Sequence, residues 1–166
     1  MDTDKNTLPK RKSTRLKNFD YSSNNIYFVT VCTDKKQKIL CNIKTVGEGL
    51  CALPQIFLTD IGEEVNKSIL YINEHYKNIR ISKYTIMPNH IHMLVSIENY
   101  TGGDGTPPLQ NIVGAFKSFT PNKYGKKLWQ RSFHDHIIRN ESDYLKIWNY
   151  IDTNPAKWTD DCFYIE

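Results

Sequence analysis

The chain has 166 residues, with 22 lysines and arginines against 18 acids and a net charge of +4. That length suits one domain with a real core, and 39% hydrophobic with 24% charged residues is the balance of a soluble globular protein. No apolar run approaches the roughly 20 residues of a membrane span, and the polar, basic start is not a signal peptide, so a cytoplasmic protein without membrane association is expected.

Residues 1–20 read as a flexible basic arm. Within it, PKRKSTRLK carries Lys10, Arg11, Lys12, Arg15 and Lys17 and no acid. A single domain is expected over 21–166. IYFVTVCTD, Ile26 to Asp34, is β-branched and aromatic and predicts a strand. KILCNI and LPQIFLT flank the glycine-containing KTVGEGL and predict a hairpin. Thr59 or Asp60 caps a helix through IGEEVNKSILYINEHY, where Ile61, Val65, Ile69 and Ile72 recur at helical spacing. Ile79 to Met87 predicts a strand, Pro88 and Asn89 turn the chain, and HIHMLVSIE predicts a second strand. TGGDGTPP is a loop. Pro108 opens a helix carrying Leu109, Ile112, Val113, Phe116 and Phe119. SFHDHIIRN predicts a strand. Asn140 then caps a last helix from Glu141 to about Asn154, with Asp143 as a weak capping-box partner and Pro155 as the stop. Cys32, Cys41, Cys51 and Cys162 lack C-x-x-C spacing, so reduced thiols are expected.

Apart from the hairpin, the order is βαββαβ plus a terminal helix. This is an α+β, ferredoxin-like order: an antiparallel sheet with two helices on one face and the other face available to ligands.

Two features stand out against this frame. His90 and His92 occupy one face of an otherwise apolar strand, since residues i and i+2 point the same way, about 7 Å apart along the backbone. Neutral imidazoles so placed can converge on a metal ion; the plainer alternative is a hydrogen-bonded pair at a sheet edge. A third ligand must come from elsewhere. His134 and His136, a second H-x-H, would make a four-histidine site, and Asn154 is another candidate. In the last helix Tyr144, Ile147, Trp148 and Ile151 form a packing stripe, with Tyr150 and Asn154 stacked on its flank at i and i+4. By periodicity alone Tyr150 reads as packing. The second feature is an acid-free stretch from Gly105 to His134. Lys117, Lys123, Lys126, Lys127 and Arg131 alternate there with Phe116, Phe119, Tyr124, Trp129 and Phe133. That mixture suits a phosphate backbone and unstacked bases, or a solvated face above core aromatics.

At these residues a family resemblance appears. MPNHIHMLV resembles the HUH motif (His, bulky hydrophobic residue, His) of the single-tyrosine transposases, and NYIDTNPAKW resembles the helix that carries their nucleophile. RKSTRLKNFDYSSNNIYFVTVCT and LWQRSFHDHIIRNESDY resemble the REP-associated tyrosine transposases in particular. The resemblance runs from about Arg11 to Trp158. It implies a ferredoxin-like core with the HUH strand in its sheet, His90, His92 and Asn154 as ligands of Mg2+ or Mn2+, and Tyr150 as nucleophile. The implied substrate is single-stranded DNA with hairpin structure, cleaved and rejoined through a 5′-phosphotyrosine. Lys10, Arg11, Lys12, Arg15, Lys117, Lys123, Lys126, Lys127 and Arg131 would grip that DNA. His136 falls in the family's "DH" element without an assigned role, and monomer and homodimer both stay open. Two other readings compete: a non-catalytic single-stranded nucleic-acid binder on the same sheet, and a metal-dependent hydrolase using His90, His92, His134 and His136.

Overall fold

The structure is a computed structural model that describes residues 24–47, 53–98, 107–120 and 127–165. Its elements are β1 (Asn25–Cys32), β2 (Cys41–Val46), β3 (Leu53–Leu58), α1 (Asp60–His75), β4 (Ile79–Ile86), β5 (His90–Ile97), α2 (Leu109–Phe119), β6 (His134–Ile138) and α3 (Glu141–Thr153). The main sheet has the order β4-β5-β1-β6, with every neighbouring pair antiparallel. The α+β, ferredoxin-like order read from the sequence is therefore the order found. The hairpin β2–β3 forms its own two-stranded sheet.

Alternation divides the central strands cleanly. Tyr27, Val29 and Val31 of β1 stand opposite Val95, Met93 and Ile91 of β5. All six are buried in one core with Val65, Ile69 and Ile72 of α1 and Leu109, Ile112, Val113 and Phe116 of α2. This face is dry and hydrophobic, and its burial is the main favourable term in holding the fold. The intervening residues, Thr30 and Cys32 opposite His92 and His90, point the other way.

The other face differs from the sequence expectation. It is covered in part, and an open cavity remains on it beside Phe28, His92 and His134. α3 lies against β4, β5 and β6, and Ile151 is its fully buried anchor. Tyr144, Ile147 and Trp148 of the expected stripe are half-buried. Lys83 of β4 fastens the helix: its ammonium lies 2.5 Å from Asp152 Oδ1 and 4.8 Å from the centre of the Trp148 ring.

Helix α1 is docked at its start. Thr59 Oγ1 accepts from Gly62 N at 3.1 Å, while Thr59 N and its hydroxyl both donate to Leu40 O at 3.0 Å. Gly62 is needed there, because a Cβ at this position would run into the Leu40 carbonyl oxygen. Gly62→Ala is expected to cost about 1–3 kcal/mol of stability through overpacking, despite alanine's higher helix propensity. A urea denaturation midpoint equal to or above the wild-type value would contradict this.

Candidate active site

Strand β5 starts in a tightly pinned turn. Met87 N donates to His90 O at 2.9 Å, Thr33 N to Asn89 O at 2.9 Å and Leu40 N to Pro88 O at 3.0 Å. His90 and His92, 0% and 1% exposed, follow at once on the face covered by α3. Their Nε2 atoms are 3.0 Å apart. Each Nδ1 is engaged by a side chain: Asn89 Oδ1 at 2.8 Å for His90, and Thr30 Oγ1 at 2.8 Å for His92.

The Asn89 amide is oriented by its other bond, Nδ2 to Phe163 O at 2.9 Å. Its oxygen is thus left to accept from His90 Nδ1–H, and the lone pair of His90 sits on Nε2. The contact between the two rings is then a hydrogen bond from His92 Nε2–H, and the Thr30 hydroxyl, which can donate or accept, serves either tautomer of His92. Burial lowers both imidazole pKa values to about 3; the charge of Lys36 adds to the effect at His90, and His90 adds to it at His92, where Asp161 pulls weakly the other way. Both rings are therefore neutral at ordinary pH, the state in which imidazole binds metal.

Tyr150 and Asn154 come to the same point from α3. The Tyr150 hydroxyl is 3.4 Å from His92 Nε2, and its ring meets the Phe28 edge at 88°. Tyr150 remains 37% exposed, open on one side. Burial first, then the charge of Asp161, pushes its pKa up to about 12. Asn154 is buried, and among the described residues its Oδ1 has no hydrogen-bond partner. A buried amide oxygen without a donor is rare and costly, and it suits a ligand that the protein itself does not supply.

α3 ends at Thr153, in keeping with Pro155 as its stop. A 3-10 segment, Asn154–Asp160, follows and folds the chain back over the histidines. That return delivers Asp161, a residue the sequence reading missed. Its Oδ2 accepts from Asn154 Nδ2 at 2.6 Å and from the Tyr150 hydroxyl at 3.3 Å, and lies 3.9 Å from His90 Nε2. One ligand atom from each of His90, His92 and Asp161 lies within 4.8 Å of the others, a group able to hold a metal ion. Nothing in residue spacing marked Asp161, which lies in an aperiodic segment; only the pair of acids in TDDCF could have drawn attention to it.

No family model matches the chain. A Haemophilus influenzae protein provisionally described as a REP-associated tyrosine transposase is 26% identical over 148 residues, covering 83% of this chain and 74% of its own. The solved structure of a REP-associated tyrosine transposase bound to a REP hairpin shares the fold, with a TM-score of 0.59 at 20% identity over 81% of this chain and 68% of that one. An uncharacterized protein of the same Haemophilus influenzae strain is 31% identical over 177 residues, 94% of each chain. The chain is thus similar in sequence to one protein described as a REP-associated tyrosine transposase, and it shares the fold of another.

Other residues singled out in the sequence fall in different places. His136 is remote from the histidine pair in role: its Nε2 is 2.8 Å from Asp143 Oδ2, a surface tie between β6 and the first turn of α3. That bond is also the main cause lowering the Asp143 pKa. The Asn140 cap holds, with its side chain accepting from Asp143 N at 2.8 Å. His134 is exposed on β6. The four-histidine arrangement is thus not assembled, because strand β6 directs His136 to α3 rather than to His90 and His92. Lys117 donates to the carbonyls of Gln130 and Ser132 at 2.9 and 3.1 Å, and burial lowers its pKa to about 8. Its ammonium organises the backbone ahead of β6. Lys127 is 3.5 Å from Asp34, and Arg131 is exposed beside it in an open cleft of about 420 Å³. Phe116, Trp129 and Phe133 are core residues, while Phe119 is 39% exposed. Lys10, Arg11, Lys12, Arg15, Lys123, Lys126 and Tyr124 lie outside the described residues, as does Cys51. The described cysteines Cys32, Cys41 and Cys162 are free. Among the described residues no helix is long and apolar enough to cross a membrane.

Proposed function

We propose that this protein cleaves and rejoins single-stranded DNA bearing hairpins, through a 5′-phosphotyrosine on Tyr150 and with a divalent metal held by His90, His92 and Asn154. The observation that carries the reading is the convergence of three atoms types in one buried spot. Two neutral imidazoles put Nε2 atoms 3.0 Å apart, an amide oxygen waits without a partner, and a phenol stands 3.4 Å from one imidazole. A 3.0 Å separation suits neighbouring ligands on one ion, since two bonds of about 2.1 Å at right angles end about 3 Å apart.

When bound, Mg2+ or Mn2+ would polarise the scissile phosphate and offset the charge that builds on it. The imidazole-rich donor set favours Mn2+ over Mg2+. The Tyr150 oxygen, losing its proton, attacks phosphorus; the bond to the 3′ oxygen breaks, and that oxygen leaves as a free 3′-hydroxyl. The phosphotyrosine keeps the energy of the broken bond, so the hydroxyl of another end can reverse the step and join new strands. Beside Tyr150, a cavity of about 370 Å³ lined by Phe28, His134, Ile147 and Phe163 has room for a nucleotide next to the attacked phosphate. The solved relative's REP hairpin supports hairpin DNA as the partner. The basic residues of the arm and of the Lys117–Arg131 region would contact phosphates, and the work would be cytoplasmic. Tyr150 reaches the histidines of its own chain, so a monomer carries every group named and a homodimer is not required for chemistry.

The test is an adduct assay. Labelled single-stranded DNA carrying a hairpin, incubated with Mn2+, is expected to give a protein–DNA band that survives denaturing electrophoresis and disappears with chelator. Binding undiminished by chelator, with no cleavage in any metal, would instead favour the non-catalytic nucleic-acid binder.

A further inference from the structure

We infer that Asp161 is the anionic ligand of the metal site, joining His90, His92 and Asn154. This inference rests on the proposed metal-dependent reaction. The Asp161 side chain is fully buried. A carboxylate stripped of water is costly unless charges and donors compensate it. Donors are present: Phe163 N reaches Oδ1 at 2.6 Å, and Asn154 Nδ2 reaches Oδ2 at 2.6 Å. A lysine or arginine partner is not: among the described residues its one ion-pair contact is His90 Nε2 at 3.9 Å. The pocket therefore brings imidazole nitrogens, an amide oxygen and a carboxylate oxygen to one point. A divalent cation is the group that such a donor set would take.

Ligand chemistry points the same way. His90, His92 and Asn154 together bring no charge, and hard divalent ions favour carboxylate oxygen. Asp161 Oδ2 lies within the 4.8 Å spread of the histidine ligand atoms. It also holds the Asn154 amide by its nitrogen, which leaves Asn154 Oδ1 as the atom without a partner. One carboxylate thus supplies a ligand and orients a second. The same Oδ2 accepts from the Tyr150 hydroxyl at 3.3 Å. An ion bound to Oδ2 competes for that electron density and loosens the carboxylate's hold on the nucleophile.

Two measurements on the full-length protein without DNA test this. Mn2+ binding, followed by the loss of the free-ion electron paramagnetic resonance signal, is expected to weaken at least about tenfold in Asp161→Asn, with the far-ultraviolet circular dichroism retained. A crystal of the wild-type protein soaked in Mn2+ is expected to show Asp161 Oδ2 at a coordination distance of about 2.1–2.3 Å; this needs no variant and separates a ligand from a mere support for Asn154. An ion bound with Asp161 beyond coordination distance, or Asp161→Asn binding Mn2+ as tightly as wild type, overturns the inference. If in either case wild type still forms the DNA adduct, the proposed reaction survives without this ligand. If Mn2+ is bound through Asp161 and no adduct forms in any metal, the ligand assignment holds and the reaction falls.

Discussion

Tyr150→Phe is expected to reduce covalent capture of DNA by on the order of 10⁴-fold or more, the scale of losing a nucleophile that no neighbour replaces. The substitution removes one oxygen and little else. The ring keeps its edge contact with Phe28, with centroids 5.9 Å apart, and its contact with the His92 ring at 5.2 Å. Asp161 Oδ2 loses a donor at 3.3 Å but keeps Asn154 Nδ2 at 2.6 Å. The stability change should therefore stay near about 1 kcal/mol, and Mn2+ binding should persist, because no proposed ligand is touched. The phenol also explains why the proposed reaction would need a cation. With its pKa pushed up to about 12 by burial and by Asp161, the metal-free hydroxyl is almost wholly protonated at neutral pH and is a weak nucleophile. Adduct formation at wild-type level by Tyr150→Phe, in a variant with an unchanged melting temperature, would mean that another group attacks.

Which parts of this site were readable in the sequence follows from the range of the forces involved. His90 and His92 were readable because strand alternation is local: Ile91 and Met93 pack into the core, and the intervening positions must face the other way. Tyr150 was readable as a flank position of α3 for the same kind of reason. The flank is what lets it touch His92 while staying 37% exposed. Boundaries shifted where a turn overrode strand propensity. The strand expected to reach Asp34 ends at Cys32, since Asp34–Lys36 turns in a 3-10 conformation. Covering of the histidine face depends on contacts far apart in sequence, such as Lys83 with Asp152 and Asn89 with Phe163, and no periodic pattern announces those. Asp161 depends on both a 3-10 segment after Pro155 and a fold-back onto β5. The aromatic residues among the lysines illustrate the converse. Local composition does not distinguish a stacking platform from a core, and of the two readings that it leaves for Phe116, Trp129 and Phe133 the core is the one found.

The buried histidine pair should also make the metal-free protein acid-sensitive well above the range in which carboxylates titrate. Both imidazoles have pKa values near 3 in the folded chain against an ordinary 6.5. Above pH 6.5 both are neutral folded or unfolded, and stability is at its full value. Below it, the unfolded chain takes up protons that the folded chain refuses, so stability falls as pH falls from 6.5 toward 3. The limiting slope is about 1.4 kcal/mol per pH unit for each histidine, or about 2.7 for the pair. A domain with a total stability of about 5–15 kcal/mol cannot absorb that over the whole interval, so unfolding is expected before pH 3. Asp161 opposes the trend by favouring a charged His92, but burial is the larger influence there. Urea midpoints measured in chelator should hold steady from pH 8 to 7 and drop steadily from pH 6 to 4. The variant His90→Gln/His92→Gln, which has no imidazole to protonate at this spot, should flatten that drop. Bound Mn2+ should raise the midpoints across this range with little change in slope, because the folded nitrogens that it would occupy take up no protons there. A wild-type midpoint that is the same at pH 7 and pH 5 would mean that water reaches the histidines, and that the closed, neutral pocket from which the proposed reaction starts does not persist in solution.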